Sequence, residues 1–589
     1  MQLIPLLLLC SNSFAAPVFT LPDDIIPAKY VAELTIDPSQ ANFGGQIRIE
    51  VTLTKATGVI WLEAKDITPS EASVNGKTAR TDLAGGEFLG LNLDSPAGPG
   101  RAVISIRYQG KLDENSVVGP YRKKVGEDWY VFTTFTPIDA RRAFPCFDEP
   151  RFKAPWELTI HTPAGDKAFA NGRELSDKPE ANGMHAIHFA ETKPLPTEVV
   201  AFAVGPFDVF EGAKAGHGTP IRVITPKGLG DEGKAAAQAT VDVLPRLEAY
   251  TGISYPFRKL DHVALPEGAF GAVENPGLIT YRQRGLLAAP GEDTPEKIRA
   301  IRSVESHEIA HQWFGDMVTQ ANWTDVWLSE GFATWLSAKI MDQFQPPARL
   351  RLAAVAARER IMATDDSPRT RPVRLEMHSR EEMRGVYGQI VYQKGAAILL
   401  MLEGWLGDDK VQTGLRAYLK QHAFGNATTA DLESALKGSA KTDPAPVMDS
   451  FLNQTGIPVV RGTVRCDGSQ PRIEVEQINE QHHWSLPLCW RSDAGSSCTV
   501  IDQPRAEIPL RSCATWIYVN AGATGYYRTS WSADQTGMLE RALPQLTSAE
   551  RLMLLYDVRA SKTSSPSLLE KLAADAEPEI AKAAAEVRR

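Results

Sequence analysis

The chain has 589 residues, which is more than one typical domain contains, so several domains are expected. Apolar residues make up 43% and charged residues 23%, which is ordinary globular composition. The formal net charge of −9 excludes the electrostatic footprint of a nucleic-acid-binding protein. No apolar run reaches the length of a transmembrane helix, so a membrane-spanning protein is not predicted.

Residues 1–16 are typical of a secretory signal peptide. An apolar stretch, Leu3–Leu9, precedes small residues, and Ser13 and Ala15 occupy the positions that signal peptidase prefers. A signal peptide normally has a Lys or Arg before the apolar stretch, and none is present here. From the apolar stretch and the small residues we predict an exported protein, periplasmic or extracellular, with a cytoplasmic protein as the alternative.

Residues 17–208 are predicted to form a β-rich N-terminal domain, because apolar and polar residues alternate in segments separated by Gly, Asn and Pro. From 209 to 455 the apolar residues recur at helical spacing, as in residues 348–362 and 394–406. Strand patterns return at 456–531, and the pattern of 532–589 is again helical.

Four of the six cysteines, all in the region 456–531, lie within fewer than fifty residues of one another. In an exported protein this clustering indicates one or two disulfides, and four cysteines allow three complete pairings. Four buried free thiols are the alternative. None of the four belongs to a CxxC pair, so a structural zinc site is not predicted. The cysteines are Cys466, Cys489, Cys498 and Cys513.

The segment HEIAH, His307–His311, contains the strongest chemical signal. Thr294 and Pro295 are typical of a helix start, an N-cap residue followed by Pro at the first helical position. On such a helix His307 and His311 lie on one face, one turn apart, and can bind the same metal ion. Glu308 is placed to contact a metal-bound water, which indicates a general base.

A third metal ligand must come from elsewhere in the chain. The metzincin continuation HxxGxxH fails, because Phe314 and Met317 occupy the Gly and His positions. Glu330, nineteen residues after His311 and in a second predicted helix (325–344), can supply a carboxylate. Two histidines and a carboxylate leave a position open for water, as a catalytic zinc site requires. We predict one zinc ion and amide hydrolysis, by cleavage either within a chain or at its end.

The segment GAVEN, Gly271–Asn275, resembles the GxMEN motif of the zinc aminopeptidases related to aminopeptidase N and leukotriene hydrolase, which are gluzincins. Together with HEIAH and Glu330 the match is specific. Further segments extend the resemblance over nearly the whole chain after residue 16. They are ARRAFPCFDEPRFKA (140–154), VWLSEGFATW (326–335), VYQKGAAILLML (391–402), LNQTGIPVV (452–460) and TGYYRTSW (524–531).

The resemblance implies a multidomain α+β fold. Its parts would be a saddle-like β-rich N-terminal domain, a thermolysin-like α/β catalytic domain, a small β-sandwich and a short, truncated helical C-terminal stub. It also implies that Tyr392 stabilises the oxyanion, with Tyr387 as a weaker candidate that lines the pocket. The substrate-binding residues would be Glu274, which holds the α-ammonium of a peptide substrate, and its neighbours Gly271, Ala272, Val273 and Asn275.

The chain departs from the family pattern at two positions in this binding region. Val273 stands where methionine is usual, so we expect a reshaped pocket for the first side chain. Thr136 stands where a second Glu or Gln helps to hold the amine, so amine recognition is expected to depend more heavily on Glu274.

A zinc aminopeptidase is the function that these motifs predict. Two other classes remain open: an epoxide hydrolase similar to leukotriene hydrolase, and a non-catalytic peptide-binding module with a vestigial site. The module would be expected to have lost a metal ligand or the base, and His307, Glu308, His311 and Glu330 are all present.

Overall fold

The computed structural model describes residues 16–344, 347–467, 470–479, 482–561 and 565–587, with the side chains of 347–350 left out. All but the last residue of the predicted signal peptide 1–16 lies outside the described residues. Contacts along the chain divide it into two units. The first contains the chain up to Asp208 together with Pro226–Gly228 and Leu265–Leu278. The second contains Val209–Thr225, Leu229–Ala264 and Ile279–Arg589.

The first unit is built from β-strands. They are β1 (Ile25–Thr35), β2 (Asn42–Leu53), β3 (Thr57–Glu63), β4 (Ile67–Val74), β5 (Lys77–Thr78), β6 (Arg80–Ala84), β7 (Phe88–Ala97), β8 (Gly100–Lys111), β9 (Gly119–Val125), β10 (Asp128–Thr134), β11 (Trp156–Pro163), β12 (Lys167–Ala170), β13 (Glu174–Pro179), β14 (Met184–Phe189), β15 (Phe202–Gly205) and, from the later segment, β19 (Ala272–Val273).

The largest sheet of this unit has the strand order β13-β14-β11-β1-β2-β8-β4-β5. Its side chains alternate between buried and exposed, as expected for a sheet with one face on the core. Tyr30, Ala32 and Leu34 of β1, for example, have no exposed surface. Two smaller sheets, β12-β15-β10-β9 and β3-β7-β6, complete the unit.

The motif ARRAFPCFDEP contributes a buried arginine to the first unit. The Arg141 guanidinium donates to Asp148 Oδ2 at 2.8 Å, to Glu87 Oε2 at 3.0 Å and to Glu63 Oε1 at 3.1 Å. All four side chains are buried. A planar guanidinium with several fixed donors suits such a cluster of carboxylates, so this motif stabilises the first unit internally.

The second unit begins with strands β16 (Asp208–Glu211), β17 (Ile221–Thr225), β18 (Leu260–Leu265) and β20 (Leu278–Arg282), which are neighbours in that order, with β17 and β18 parallel. Two short strands, β21 (Thr319–Gln320) and β22 (Asn426–Ala427), pair in parallel. The later strands are β23 (Val459–Arg465), β24 (Arg472–Gln477), β25 (Leu486–Ser492), β26 (Gly495–Ile501), β27 (Arg505–Pro509), β28 (Ile517–Tyr518) and β29 (Arg528–Thr529).

Helices make up most of the second unit. They are α1 (Lys234–Thr251), α2 (Gln283–Leu286), α3 (Pro295–His311), α4 (Trp327–Met341), α5 (Pro347–Asp365), α6 (Arg380–Arg384), a π-helix (Ile390–Lys394), α7 (Gly395–Leu406), α8 (Asp408–Gln421), α9 (Thr429–Ala440), α10 (Ala445–Leu452), α11 (Ala533–Ala542), α12 (Ser548–Ser561), α13 (Pro566–Ala573) and α14 (Pro578–Val587). Short 3₁₀ turns lie at Ala140–Arg142, Ala181–Gly183, Thr197–Val199, Gly230–Gly233, Trp323–Asp325, Asp342–Phe344, Ala521–Ala523 and Leu543–Gln545.

Helix α3 packs on α1 and α4, and α4 also packs on α7. Helix α4 is shorter than the predicted 325–344, because its two ends are 3₁₀ turns. Among the described residues, no helix combines the length and the apolar character needed to cross a membrane. The mixed α/β architecture, with a β-rich N-terminal part and a helical C-terminal end, confirms the predicted fold class.

The region 456–531 forms two sheets, with strand orders β27-β24-β23-β29 and β26-β25-β28. The four clustered cysteines form two disulfides, Cys466–Cys513 and Cys489–Cys498. The second joins directly paired residues of the antiparallel strands β25 and β26. The structure thus selects one of the three complete pairings, and the alternative of four free thiols was wrong.

Candidate metal centre

His307 and His311 lie on helix α3, which begins as the sequence predicts. The Thr294 side chain accepts a hydrogen bond from the Lys297 backbone N–H at 3.2 Å, and Pro295 is the first helical residue. One helical turn separates the two histidines, so their rings lie side by side with centroids 4.7 Å apart. Their Nε2 atoms are 3.1 Å apart. The helix therefore brings two nitrogens to one point, where both could bind a metal ion.

Glu330 lies in the first turn of α4 and brings a carboxylate to the same point. Its Oε2 atom is 3.4 Å from His307 Nε2 and 3.3 Å from His311 Nε2. The residue is buried, and within the described part of the chain this oxygen has no hydrogen-bond donor. A buried carboxylate oxygen without a donor is costly unless a cation compensates it, so the site favours a metal ion.

The three ligand atoms also have the spacing that zinc requires. Tetrahedral zinc with bonds of about 2.0–2.1 Å separates its ligand atoms by about 3.3 Å. The observed separations are 3.1, 3.4 and 3.3 Å. His307, His311 and Glu330 form a group that could hold a metal ion. Both the donor set and the spacing fit zinc.

The ionisation of Glu330 is set by its burial and by the two histidines. Burial alone would raise its pKa, but the positive charges of His311 and His307 in their protonated forms outweigh this effect and lower the pKa to about 2. The side chain is therefore a carboxylate near neutral pH, which is the form that binds zinc.

The orientation of His311 is fixed from behind its ring. His311 Nδ1 lies 3.1 Å from the Phe314 carbonyl oxygen and 2.9 Å from Ser329 Oγ. The carbonyl can only accept, so Nδ1 carries a proton, and in the neutral form of the ring Nε2 presents its lone pair toward Glu330. Such outer contacts set the tautomer and the direction of a metal-binding imidazole.

Gly315 makes this arrangement possible. Its φ of +121° is a conformation that residues with a side chain rarely adopt. A Cβ at this position would overlap Ser329 Oγ and lie 3.3 Å from His311 Nδ1. The absent side chain thus leaves the space in which Ser329 reaches the imidazole.

Glu308, the predicted general base, is buried, and it directly follows His307 in the sequence. One of its carboxylate oxygens lies within 4.8 Å of a His311 ring nitrogen. Its role as a base stays a prediction.

Tyr392 lies in the π-helix, and its ring is nearly parallel to that of His307, with centroids 6.0 Å apart and an interplanar angle of 17°. The structure therefore brings Tyr392 close to the metal ligands in space, although eighty-five residues separate it from His307. Tyr387 is half-buried at the approach to the π-helix. The proposed actions of both tyrosines stay predictions.

Glu274 and the rest of the GAVEN segment belong to the first unit. The segment is held there by a hydrogen bond from Tyr121 Oη to the Glu267 carbonyl at 3.2 Å and another from Asn171 Nδ2 to the Pro276 carbonyl at 3.0 Å. Asn275 is buried and its carbonyl accepts from the Leu278 N–H at 2.9 Å. The substrate-binding roles of Gly271, Ala272, Val273, Glu274 and Asn275 remain predictions.

Thr136 stands where the family resemblance implies a second amine-binding residue, and its side chain makes a different contact. Its hydroxyl donates to the Glu198 carbonyl at 3.1 Å, and the residue is buried. This hydroxyl is therefore engaged with the backbone of its own unit.

Sequence reasoning gave no part to two residues near the site, Ser329 behind His311 and Lys394 in the π-helix that carries Tyr392. Ser329 directly precedes Glu330, and this adjacency was a usable signal. Lys394 stands in the VYQKG segment, but its buried partner Asp365 lies far away in the sequence, so no local pattern could have revealed the pair.

Comparisons with known proteins match two long parts of the chain to one peptidase family. Residues 26–199 match the peptidase M1 N-terminal domain, and residues 235–451 match the peptidase family M1 domain. Aminopeptidase M1-A of Oryza sativa subsp. japonica is 31% identical over 591 residues, covering 94% of this chain and 66% of the relative. Aminopeptidase 2, mitochondrial, of Saccharomyces cerevisiae is 30% identical over 569 residues (92% and 59%). The puromycin-sensitive aminopeptidase of Caenorhabditis elegans is 29% identical over 587 residues (94% and 61%).

The matches span almost all of this chain but between 59% and 66% of the length of these three relatives. Both matched domains are those of one peptidase family, and the two histidines and the glutamate of the metal centre lie inside the second. The chain therefore belongs to peptidase family M1.

Proposed function

We propose that the chain is a zinc-dependent aminopeptidase that hydrolyses the N-terminal bond of peptides. The observation that carries this proposal is the convergence of His307 Nε2, His311 Nε2 and Glu330 Oε2 at separations of 3.1 to 3.4 Å in a chain of the M1 family. The names of the relatives support the choice of an aminopeptidase among zinc peptidases.

Zinc, when bound, supplies a Lewis acid that polarises the scissile carbonyl and lowers the pKa of water to about 7. Glu308 accepts the proton of the attacking water and transfers it to the leaving amine. Its position beside His311 supports this role, because a general base must lie within reach, directly or through one water, of the proton that it accepts.

Tyr392 donates its hydroxyl proton in a hydrogen bond to the oxyanion that develops on the carbonyl oxygen. Its ring lies beside that of His307, with centroids 6.0 Å apart, which supports a donor close to the metal-binding residues. Glu274 binds the α-ammonium of the substrate and selects against internal segments, which lack this charge. The half-buried position of Glu274 is compatible with a carboxylate that meets a substrate.

Export to an oxidising compartment is the location that we propose. Two disulfides, Cys466–Cys513 and Cys489–Cys498, support it because structural disulfides persist mainly outside reducing compartments. A cytoplasmic location is the alternative, and the yeast relative bears the name of a mitochondrial protein. Fractionation of the producing cells, with thiols alkylated at lysis, distinguishes the two: a reduced protein in the cytoplasmic fraction would reject export.

Hydrolysis of a panel of aminoacyl-p-nitroanilides, each beside its N-acetylated form, tests the function. We expect release only from the free-amine substrates, abolished by a zinc chelator and restored by added zinc. Cleavage of both forms at equal rates would reject exopeptidase specificity and favour an endopeptidase. No release from any substrate, including longer peptides with free N-termini, would favour the non-catalytic peptide-binding module.

A further inference from the structure

The π-helix that carries Tyr392 ends in a fully buried lysine. The Lys394 side chain has no exposed surface, and its ammonium is 2.8 Å from Asp365 Oδ2, which is equally buried. The same ammonium donates to the Gln454 carbonyl at 2.8 Å and lies 5.5 Å from the centre of the Tyr526 ring. Lys394 is thus held by three separate parts of the chain.

Asp365, the last residue of α5, is hydrogen-bonded to the same segments. Its Oδ1 atom accepts from Thr370 Oγ1 at 2.9 Å and from the Gly456 backbone N–H at 3.1 Å, and its Oδ2 atom accepts from Tyr526 Oη at 3.1 Å. Both carboxylate oxygens are therefore hydrogen-bonded. The segments VYQKG, LNQTGIPVV and TGYYRTSW meet at this one carboxylate, although neither Lys394 nor the last two segments have an assigned role in the chemistry.

Stability alone is a weak explanation for this pair. Removing an ammonium and a carboxylate from water has a large cost in free energy, and well-packed apolar residues often stabilise such a position equally well. A fully satisfied buried ion pair does, however, impose one specific geometry on the segments that it joins.

The π-helix needs such a restraint. π-Helical segments are rare and are found frequently at functional sites. Since helices normally adopt the α-helical register, we expect contacts with other parts of the chain to stabilise this one. Side chains two positions apart on a helix point in roughly opposite directions. Lys394 accordingly reaches Asp365 on one side, while the Tyr392 ring packs beside His307 on the other.

A close backbone contact fixes the next residue. A Cβ on Gly395 would lie 3.2 Å from Gly331 Cα, and a Cβ on Gly331 would lie 3.3 Å from Gly395 Cα, so both positions have little room for a side chain. Gly331 directly follows the metal ligand Glu330. The residue that follows the π-helix is therefore seated on α4 beside the candidate metal centre, and the Lys394–Asp365 pair holds the π-helix at a second point.

We propose that Lys394 and Asp365 are positioning residues that set the orientation of Tyr392 toward the metal centre. The inference rests on the proposed function, because it concerns the tyrosine that would donate to the oxyanion. Loss of the pair would let the π-helix relax to another register and turn the Tyr392 hydroxyl away from the substrate carbonyl. The metal ligands on α3 and α4 would keep their places.

A double-mutant cycle on Tyr392 and Lys394 tests the proposal. Tyr392→Phe is expected to lower kcat about 10²-fold, the cost of one oxyanion donor. Lys394→Met is expected to lower kcat at least about tenfold with little change in KM and in zinc content. In the Tyr392→Phe background, Lys394→Met is expected to cost almost nothing further, because the hydroxyl that it positions is already gone.

A second variant distinguishes loss of positioning from loss of folding. It is needed because Lys394→Met alone leaves Asp365 buried without its cation. Lys394→Met combined with Asp365→Asn removes both charges and keeps the acceptor for Thr370 and Gly456. It is expected to retain zinc and a near-normal Tm and to show the same kcat loss, again absent in the Tyr392→Phe background.

Three results would contradict the proposed roles. A loss on charge removal that is equally large in the wild-type and in the Tyr392→Phe backgrounds would overturn the positioning role, since damage to the fold acts independently of the hydroxyl. Full activity of the charge-free pair would overturn it as well. Full activity of Tyr392→Phe would reject the proposed role of the tyrosine itself, a failure separate from that of Lys394.

Discussion

Ser329 Oγ lies 2.9 Å from His311 Nδ1, on the opposite side of the imidazole from the metal-binding Nε2. The contact links α4 to the last residue of α3, so each of the two ligand helices helps to orient the other. Ser329 precedes Glu330 in the chain. Two consecutive residues of α4 therefore face the two nitrogens of the same imidazole, Ser329 at Nδ1 and Glu330 at Nε2.

Removal of this hydroxyl should weaken zinc binding. Ser329→Ala is expected to reduce zinc affinity about tenfold, at the low end of the range for outer-shell contacts, because the Phe314 carbonyl remains to fix the imidazole. Competition with a chelating dye on the metal-free protein measures the change. Ser337→Ala is the matched control, since Ser337 is a similarly buried serine of α4 that donates to the Ser303 carbonyl. Equal affinities of both variants would contradict the role of Ser329.

A side chain at Gly315 should displace the same contact. Gly315→Ala adds a Cβ that overlaps Ser329 Oγ, so we expect lower zinc affinity and a lower Tm. Gly291→Ala separates this overlap from backbone strain, because Gly291 also has positive φ but no atom within 4 Å of the added Cβ. Calorimetry and zinc titration of the two variants give the comparison. The prediction is wrong if both lose zinc to the same extent.

Glu308→Gln should separate metal binding from catalysis. The amide has nearly the shape of the carboxylate but cannot accept the proton of water, so kcat is expected to fall by about 10²–10⁴-fold with zinc content unchanged. Metal analysis and initial rates on a free-amine nitroanilide measure the two quantities. A zinc-loaded variant with normal turnover would remove Glu308 from the mechanism.

Glu274→Gln should reduce selection for a free amine. We expect a higher KM for free-amine substrates and a smaller preference over their acetylated forms, because the neutral amide no longer compensates the ammonium. The ratio of kcat/KM for the two forms is the measurement. Glu267→Gln is a suitable comparison, since Glu267 lies in the same segment and pairs with Lys123 at 2.9 Å. A ratio unchanged in Glu274→Gln would assign amine recognition to another group.

The two disulfides should contribute unequally to stability. Loop closure by Cys466–Cys513, across 47 residues, is expected to raise the free energy of unfolding by about 4 kcal/mol. Cys489–Cys498, across 9 residues, is expected to raise it by about 2.5 kcal/mol. Denaturant unfolding of the two double Cys→Ala variants under non-reducing conditions tests the order. A larger loss from removal of Cys489–Cys498 would show that native packing outweighs the loop-closure effect.

The sequence by itself determined the features that depend on local geometry. Thr294, Pro295 and the HEIAH spacing placed His307 and His311 on one face of a helix, because helical periodicity is a property of neighbouring residues. The alternation of β1 and β2 and the helical pattern of α5 and α7 identified the main elements of the fold for the same reason. Glu330 could be nominated as a ligand by its residue type and by the resemblance, without any knowledge of its distance.

Tertiary structure decided what connects residues distant in the chain. Only the packing of α3 on α4 places Glu330 Oε2 at 3.3 Å from His311 Nε2, and only the same packing brings Ser329 to the other side of that ring. The disulfide between Cys466 and Cys513 and the ion pair of Lys394 with Asp365 likewise follow from the packing of separate segments. Such contacts depend on the shape of the whole core, whereas periodicity reports only which face of an element is buried.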